Sequence, residues 1–369
     1  MADSIQTMLD TRELTASYRS APTLAGTPMT DTFFTGVTGT TGDEVKIPVV
    51  GISNTPAPAN TRGSGPRRHA GPGASIKQFA LYHSFNEHAI DANAIRFLRS
   101  SDPAIQNMGK EVIAALIDDA GRRQKLFREV VIGSIMTYGR VNIGSDGAVL
   151  LPTVHATTGV ITDNASAMVS ADYQVADTHR GRCNSLLSGA WDTITTDIPQ
   201  ELSIIRDAAL KAGAEPPTTV YLNPLRRQTL VNNTKFKEWM TLNSVRADVV
   251  LNGSGVDNFF GWNIKFMEGY WTDSSGTQRP VIPVRNAIIV PPDGAWKRCK
   301  EGTQDVPTTV DIKGTMEEAL ASLKAVQGMF SFAQVKVSPL VELSLFLGDN
   351  FGLGFANPNA VWMPTVFAA

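Results

Sequence analysis

The period of the hydrophobic residues changes several times along the chain, and each change predicts a different kind of element. Two strand-like runs occur early, at 45–50 and at 76–90, and they are separated by a long segment of different character. The second run is the longer one, and its period of two places four side chains on one face of a strand: Phe79, Leu81, His83 and Phe85.

The segment between the two runs, 51–75, has no apolar periodicity and is rich in glycine and proline. It contains no acidic residue, but it carries Arg62, Arg67, Arg68 and His69. Because structureless loops of this length are uncommon inside compact domains, we expect a two-stranded ribbon whose basic tip projects from the body. Such a ribbon is only marginally stable alone in water, so it needs a partner surface, such as a neighbouring copy of the chain. The basic cluster lacks interleaved aromatic residues, which favours a solvated or interfacial tip over a phosphate contact.

A long amphipathic helix is the clearest element that the pattern predicts. Asp102-Pro103 combines a capping residue with proline at the first helical position, and Gly139 stands where a C-terminal cap is expected. Apolar residues recur at helical spacing between these signals, which predicts a helix over about 102–139, roughly 50 Å long. The charged segment 118–128 in its middle is expected to be exposed. A single apolar stripe on so long a helix indicates that it lies across a sheet or another surface.

Residues 1–43 have weak periodicity and are rich in Thr, Ser, Gly and Asp, which is typical of an arm. A short helix can form within 3–18, and 33–42 is expected to be extended. Phe33 and Phe34 would anchor this arm, so a strap docked on other surface is favoured over a disordered tail.

Strands and helices alternate further along the chain, which predicts an α/β unit over about 190–300. A helix begins near Asp197, and a buried strand follows at 218–222. Asn223-Pro224 then provides the cap and first position of the next helix.

Two strands, 263–271 and 280–290, are expected to close this unit, and a turn sequence at 272–276 joins them. Short strands are also predicted on both sides of the unit. They lie at 149–154 and 160–162 before it, and at 329–337, 340–347 and near 360–366 after it.

Composition limits the class of protein. The chain has 369 residues, enough for two domains or one elaborate domain. Its 33 Lys and Arg residues nearly balance its 35 Asp and Glu residues, so global charge does not indicate nucleic-acid binding. Cys183 and Cys299 lack metal-ligand or disulfide-framework spacing, which points to a reducing compartment. Neither a signal peptide nor a membrane-spanning apolar run is visible, so we expect a soluble chain made inside a cell.

No set of residues forms a convincing catalytic, cofactor or metal site. The glycine clusters at 71–74 and 252–255 lack the sequence context of nucleotide-binding loops. His83 and His88 are five residues apart in a strand, so they point to opposite faces and cannot hold one metal ion. Cys183 has arginine neighbours that could lower the pKa of its thiol, but a lone cysteine in a loop is usually inert. We therefore expect no enzymatic activity and no cofactor.

The order of these elements, and several short sequences within them, resemble the lambda-type major capsid protein E family of tailed phages, which has the Hong Kong 97-type capsid fold. Residues 68–90 resemble the returning side of the family's extended loop, and 101–139 resembles its spine helix. The sequence VYLNP at 220–224 resembles the strand, Asn-Pro and helix step of its axial domain. The sequence NPNAV at 357–361 is similar to a family turn, with asparagine in place of both acids. The resemblance covers roughly 30–366.

This resemblance implies an α+β fold in which an α/β axial domain is inserted into a β-rich peripheral domain. The implied function is that of a major capsid protein, whose hexamers and pentamers form an icosahedral shell around a double-stranded DNA phage genome. The resemblance implies five parts. They are an N-terminal arm (1–43), an extended β-ribbon loop (44–95), the first part of the peripheral domain with the spine helix (96–189), the axial domain (190–300) and the peripheral return strands (301–369).

The family's mode of assembly also implies partners. Copies of the chain would bind one another. Further partners would be scaffolding, portal and decoration proteins. Packaged DNA would be bound without sequence specificity. No membrane contact is expected, and the virion shell would be assembled in the host cytoplasm. Contact between subunits is expected at the ribbon and the arm, through Arg62, Arg67, Arg68, His69, Phe79, Phe33 and Phe34.

Three alternatives remain open at this point. An encapsulin-type cellular compartment shares the capsid fold, although the C-terminal sequences favour the phage protein. An enzyme would need a convergent polar site in the 190–300 unit, where the sequence shows none. A phage tail or receptor-binding protein would show trimeric β-repeat patterning, which is absent.

Overall fold

The elements follow one another in nearly the order that the sequence predicts, and one long helix crosses one large sheet. The computed structural model describes most of the chain. The described residues are 10–21, 27–41, 44–50, 74–90, 92–98, 100–253, 255–273, 275–292, 294, 296–307, 323–337 and 341–368.

The α-helices, in chain order, are α1 (Thr11–Ser20), α2 (Pro28–Phe33), α3 (Ala92–Leu98), α4 (Pro103–Tyr138), α5 (Ile198–Lys211), α6 (Arg227–Asn232), α7 (Thr234–Leu242) and α8 (Ala247–Asn252). The strands are β1 (Thr38–Thr40), β2 (Glu44–Val50), β3 (Ala74–Ala80), β4 (Tyr82–Ala89), β5 (Arg140–Gly144), β6 (Val149–Leu150), β7 (Thr153–Val154), β8 (Ile161–Thr162), β9 (Ala167–Asp172), β10 (Arg180–Gly181), β11 (Thr219–Leu222), β12 (Gly255–Phe259), β13 (Trp262–Phe266), β14 (Tyr270–Thr272), β15 (Gln278–Pro280), β16 (Ala287–Val290), β17 (Lys297–Pro307), β18 (Leu323–Gln327), β19 (Phe330–Val337), β20 (Val341–Phe355) and β21 (Met363–Pro364).

The predicted long helix is present as α4, which has 36 residues. The carboxylate of Asp102 accepts a hydrogen bond from the amide of Ala104 at 2.9 Å, and Pro103 occupies the first turn. At the other end Gly139 has a φ of 65°, the left-handed conformation that stops a helix and that glycine adopts without strain. The local signals in the sequence therefore locate both ends of this helix to within one residue.

Strand β20 is the centre of the main sheet. It pairs antiparallel with β19 over its first part, with β17 over its last part, and with β4 along its other edge. Strands β1 and β18 extend the sheet through β17. The strands predicted at 329–337 and 340–347 are thereby confirmed as β19 and the first part of β20.

The prediction of one strand over 76–90 is wrong, because the chain breaks at Leu81 into β3 and β4. Strand β3 pairs with β2 in the ribbon, whereas β4 pairs with β20 in the main sheet. Tyr82 is buried, while His83 and Phe85 are exposed, so the predicted common face does not continue across the break. One apolar run thus serves two different sheets.

Helix α4 lies across the main sheet, as predicted, but the single stripe does not hold for its last third, where 128–137 are all buried. Alternate residues of β20, including Leu345, Phe351 and Phe355, are buried on the side that faces the helix. On the opposite side Gly348 lies beneath the ring of Phe330, and a Cβ at this glycine would be 2.3 Å from that ring. The central strand can therefore accept a large side chain from β19 only because it has none of its own at this position.

A buried ion cluster joins α4 to two strands of the sheet. The guanidinium of Arg128 donates hydrogen bonds to both carboxylate oxygens of Asp349 on β20, and it forms an ion pair with Glu301 on β17 at 2.8 Å. The amide of Gln124 donates to the same Asp349 carboxylate at 3.0 Å. Burial alone would lower the pKa of Arg128, but the hydrogen bonds and charges of its two carboxylate partners outweigh burial and raise it.

The prediction that the charged segment 118–128 is exposed is therefore wrong at its C-terminal end. Asp119 and Arg123 do form an exposed ion pair, one helical turn apart. Gln124 and Arg128 are buried instead, because their carboxylate partner comes from a strand 221 residues further along the chain. A charge pattern read within one helix contains no information about such a partner.

Removal of Asp349 should destabilise the fold strongly, because it leaves the Arg128 charge buried without its main partner. We expect Asp349→Ala to lower the free energy of unfolding by about 3–5 kcal/mol. Asp119→Ala removes the exposed partner of Arg123 on the same helix and should cost less than about 1 kcal/mol. Urea denaturation of both variants measures the difference, and similar costs would contradict the role assigned to the cluster.

The second part of the core is the α/β unit, whose four-stranded sheet has the order β12-β13-β11-β16. Strand β11 is parallel to β13 and antiparallel to β16. The side chain of Asn223 accepts a hydrogen bond from the amide of Leu225, as predicted for the cap, although the first turn is a 3₁₀ helix, Pro224–Arg226. Strand and helix thus alternate here as the sequence predicts.

The two strands predicted to close this unit do not pair with each other along their length. Strands β13 and β16 lie on opposite sides of β11, and only the short strands β14 and β15 form a hairpin. The turn at 272–276 is correctly predicted, but it joins a hairpin outside the four-stranded sheet. Adjacency in sequence therefore predicts the turn and not the sheet order.

The C-terminal segment ties the α/β unit to the rest of the core. Ile289 in β16 forms a β-bridge with Trp362, and the ring of His179 stacks on the Trp362 indole with 3.8 Å between centroids. Nδ1 of His179 lies 3.0 Å from the carbonyl oxygen of Val361. Burial lowers the pKa of His179 to about 4, so the ring is neutral in the fold near pH 7.

The buried His179 should make stability depend on pH. The unfolded chain takes up a proton at this residue near pH 6.5, whereas the folded chain does so only near pH 4, so the free energy of unfolding falls as pH falls between these values. The loss is at most about 3 kcal/mol. We expect His179→Phe to flatten this slope, as measured by denaturation of the variant and the wild type from pH 4 to 7. An unchanged slope in His179→Phe would contradict this assignment.

Candidate assembly surfaces

The N-terminal arm packs on the chain's own body instead of extending freely. Thr15 in α1 exchanges hydrogen bonds with the backbone of Ser331 in β19, through its hydroxyl. Helix α2 begins at the buried carboxylate of Glu129 on α4, which accepts hydrogen bonds from the amides of Met29 and Thr30 at 2.8 and 2.9 Å. Burial raises the pKa of Glu129, although these hydrogen bonds lower it in part. The strap predicted for this region is thus docked on the chain itself.

The local structure of the arm differs in part from the prediction. A helix does form in the first segment, at Thr11–Ser20, but 33–42 is not extended throughout. Phe33 ends helix α2, and only Thr38–Thr40 forms a strand, which pairs in parallel with β17. The short helix α2 forms because Pro28 and the Glu129 carboxylate both stabilise its first turn, and Glu129 is remote in sequence.

The three phenylalanines predicted at subunit contacts lie inside this chain's own core. Phe33 is 1% exposed and packs edge-on against Tyr221, while Phe34 is 7% exposed and packs against Phe351. Phe79 is 5% exposed. These contacts within the chain account for their burial, and a direct role of the three rings between subunits stays a prediction.

The base of the ribbon is fixed by aromatic contacts on both sides of the break at Leu81. The ring of Phe79 stacks on that of Tyr173 with 5.1 Å between centroids, and the hydroxyls of Tyr82 and Tyr173 are 2.8 Å apart in a hydrogen bond. Burial raises the pKa of both tyrosines, so both keep their protons. The ribbon strands β2 and β3 pair over seven positions from this base. The tip residues predicted to make contacts, Arg62, Arg67, Arg68 and His69, lie outside the described residues.

Loss of the Phe79 ring should loosen the ribbon without unfolding the body. We expect Phe79→Ala to increase amide hydrogen exchange in β2 and β3 by at least about tenfold, because the stack on Tyr173 is lost. Phe85→Ala removes a half-exposed ring from the adjacent strand β4 and should leave exchange in the ribbon unchanged. Exchange measured by mass spectrometry tests this, and equal effects of the two variants would contradict it.

The first third of α4 has an uncovered apolar face. Ile105, Met108 and Val112 are 37%, 53% and 46% exposed, and their spacing of three and four places them on one side of the helix. The adjacent side of the helix packs so closely on α3 that a Cβ at Gly109 would be 2.9 Å from the amide nitrogen of Leu98. Exposed apolar stripes of this kind are typical of interaction surfaces.

The exposed α4 face is also partly acidic. Asp102 and Glu111 are exposed on the same stretch of helix, and Asp119 follows further along it. Apolar side chains with acidic neighbours suit a partner segment that is basic and able to lie along the helix. We refer to Ile105, Met108 and Val112 with Asp102 and Glu111 as the α4 surface.

The described residues offer little support for catalysis. Burial raises the pKa of the Cys183 thiol to about 12, so its arginine neighbours do not produce a reactive thiolate. His83 and His88 lie on β4, and no group of three or more metal-ligating side chains occurs within the described ranges. Among the helices that the structure describes, none combines the length and apolar character that crossing a membrane requires.

One cavity of ≈ 530 Å³ borders the α/β unit and is lined in part by Tyr138, Asp273, Arg279 and Arg285. Its single carboxylate accepts hydrogen bonds from Ser275 and Arg279, which lower the pKa of Asp273 to about 2. A carboxylate with such a low pKa is a poor general base at neutral pH. Among the described residues that line the cavity, neither a second carboxylate nor a histidine accompanies Asp273.

Comparison with solved structures identifies the fold as that of phage capsid proteins. A protein assigned as the capsid protein of a prophage of E. coli CFT073 superposes with a TM-score of 0.57 and 12% identity, over 97% of this chain and 99% of that chain. A phage-related protein of Bordetella bronchiseptica RB50 gives a TM-score of 0.49 at 10% identity, over 96% and 97% of the two chains. A structure from Gordonia phage Cozz gives 0.44 at 12% identity, over 94% and 88%. The fold assignment rests on the first of these, since the other scores are below 0.5.

The sequence defines the family. A sequence model of the family described as phage major capsid protein E matches residues 10–314, and the chain belongs to that family. No curated protein sequence matches the chain significantly.

Family membership confirms the resemblance noted from the sequence, the mixed helix and sheet capsid fold, and the shell-forming role. Because the family is structural, it also confirms that the chain is a shell protein and not an enzyme. The protein is therefore a component of the virion capsid, which forms by association of copies of the chain.

Proposed function

We propose that copies of this chain form hexamers and pentamers that close an icosahedral shell around a double-stranded DNA phage genome. The observation that carries this proposal is the combination of a ribbon fixed at its base with an uncovered α4 surface in a member of a shell-forming family. Within the described part of the chain the α4 surface leaves one half of a contact unused, and a two-stranded ribbon is only marginally stable alone in water. Both features are expected of a subunit that is completed by its neighbours.

The charges of the two features are complementary. The ribbon tip carries Arg62, Arg67 and Arg68 and has no acidic residue between 51 and 75, whereas the α4 surface is apolar and acidic. In the proposed assembly the ribbon of one subunit lies along the α4 surface of the next. Basic groups on one side and carboxylates on the other would fix the register of this contact and favour encounter of the correct surfaces.

Other parts of the chain have defined places in the proposed shell. The 190–300 unit lies at the centre of each hexamer or pentamer, and the arm at 1–43 straps the body. Scaffolding and portal proteins and a decoration protein are proposed partners, and assembly occurs in the host cytoplasm. The net charge of −2 suits a container that must not bind its packaged DNA tightly.

The first experiment is expression of the chain alone and with candidate scaffolding protein, followed by negative-stain electron microscopy and sedimentation velocity. Closed shells, or rings of five and six subunits, are expected. A chain that stays monomeric under both conditions at high concentration would contradict the proposal. Nuclease-protected double-stranded DNA in shells purified from virions supports a phage capsid, and a protein cargo in place of DNA would contradict it.

Deletion of the ribbon tip, 55–72, should leave a folded subunit that does not form stable shells. The body is expected to keep its thermal unfolding temperature, because β2, β3 and the Phe79 stack remain. The triple substitution Arg62→Ser, Arg67→Ser and Arg68→Ser keeps the loop length and should weaken assembly most at low salt, where charge contributes most. Normal closed particles from the deletion variant would contradict the role of the ribbon.

A further inference from the structure

The outer edge of the α/β unit ends in a strained turn that exposes a phenylalanine. Strands β12 and β13 are joined by the two residues Phe260 and Gly261, whose φ angles are 49° and 85°. Positive φ at both positions is the pattern of a type I′ turn, for which Asn-Gly is the preferred sequence. Phe260 is a bulky residue held in the left-handed region, where its Cβ is crowded by its own backbone.

This strain is maintained by the surrounding hydrogen bonds. The side-chain oxygen of Asn258 accepts from the amide of Gly261 at 3.2 Å, and the Asn258 carbonyl accepts from the indole of Trp239 at 3.1 Å. Asn258 itself has a φ of 57°. The turn is therefore held in one conformation from within the unit, so Phe260 is displayed in a fixed direction.

The Phe260 ring packs inside the chain only in part, edge-on against the ring of Phe259 with 5.2 Å between centroids. The side chain is 47% exposed, whereas its neighbour Phe259 is fully buried and fills the core beneath the turn. Space around the tip is open, since a Cβ at Gly261 would have no atom within 4 Å. Leu242, one helical turn after Trp239 on α7, is 71% exposed beside this region. Strain and apolar exposure together are unfavourable for an isolated subunit, and a contact outside the chain would offset both.

The position of the turn indicates which partner it meets. Strand β12 is an outer strand of its sheet and pairs only with β13 within the described part of the chain. Uncovered sheet edges are prone to non-specific association, so native proteins cover or interrupt them. The chain belongs to a family whose members form shells from many copies of one protein. In such a shell, another subunit is always available to cover this edge.

We propose that Phe260 is an anchor residue for a contact between two copies of this chain, inserted from the β12–β13 turn into the α/β unit of a neighbouring subunit. The contact joins unlike surfaces, as a ring of five or six subunits requires. Aromatic anchors that enter a partner's pocket dominate the energetics of many interfaces. This inference rests on the proposed shell function and identifies one of its contacts.

The substitution Phe260→Asn separates this role from a structural one. It creates the preferred residue pair of the turn and should relieve strain, so the Tm of the unassembled subunit should rise by about 2 °C. The concentration needed for assembly should increase by about tenfold or more, because the anchor is lost. Tyr270→Asn is the matched control, since Tyr270 is also 47% exposed but has no positive φ, and it should assemble like the wild type.

Each outcome has a defined meaning. A lower Tm in Phe260→Asn would show that the ring stabilises its own subunit, and unchanged assembly would show that it has no partner; both overturn the proposal. Equal loss of assembly in Tyr270→Asn would overturn the assignment to Phe260. If the wild-type chain forms no oligomers, the result contradicts the proposed shell function and this contact with it. Normal shells from Phe260→Asn contradict only this contact and leave the shell function standing.

A photoreactive phenylalanine analogue at position 260 gives a direct second measurement. Irradiation of the assembled chain should produce covalent dimers, and mass spectrometry should locate the second attachment in the 190–300 unit of another copy. Cross-links only within one chain, or only to a scaffolding protein, would overturn the proposal.

Discussion

The ion cluster around Arg128 is the interaction on which the arrangement of the body depends. One guanidinium binds carboxylates from two strands of the main sheet, so it fixes the rotation of α4 about its axis and its position along β20 and β17 at once. The same helix carries Glu129, one residue further, which begins helix α2 of the arm. Arm, helix and sheet are therefore placed relative to one another by two adjacent residues of opposite charge.

Local signals account for the parts of the fold that the sequence predicts well. Asp102-Pro103 and Gly139 mark the ends of α4 because a cap and a left-handed glycine act within one turn of the chain. The same holds for Asn223-Pro224 after β11. Each of these signals depends on residues that are close in sequence, so no knowledge of tertiary structure is needed to interpret it.

Failures occur where a remote partner decides the outcome. The run at 76–90 divides between two sheets because β20, more than 250 residues away, competes for its second half. Arg128 is buried for the same reason, and the hairpin expected from 263–290 is opened by the insertion of β11 between its strands. For the assembly surfaces, the two paired strands at the base of the ribbon were predictable from the sequence. The exposed α4 face and the Phe260 turn needed side-chain exposure and backbone angles.

The anchored ribbon base has a mechanical consequence for particle geometry. Five residues of each strand, 46–50 in β2 and 74–78 in β3, lie beyond the Phe79–Tyr173 stack, a length of about 17 Å. A rotation of about 10° at the stack displaces their far end by about 3 Å, more than half the spacing between neighbouring strands. If the far end engages another subunit, small adjustments of two stacked rings are enough to change the dihedral angle between subunits. In the proposed icosahedral shell, this would allow the curvature to differ between flat facets and vertices without any change inside the main sheet.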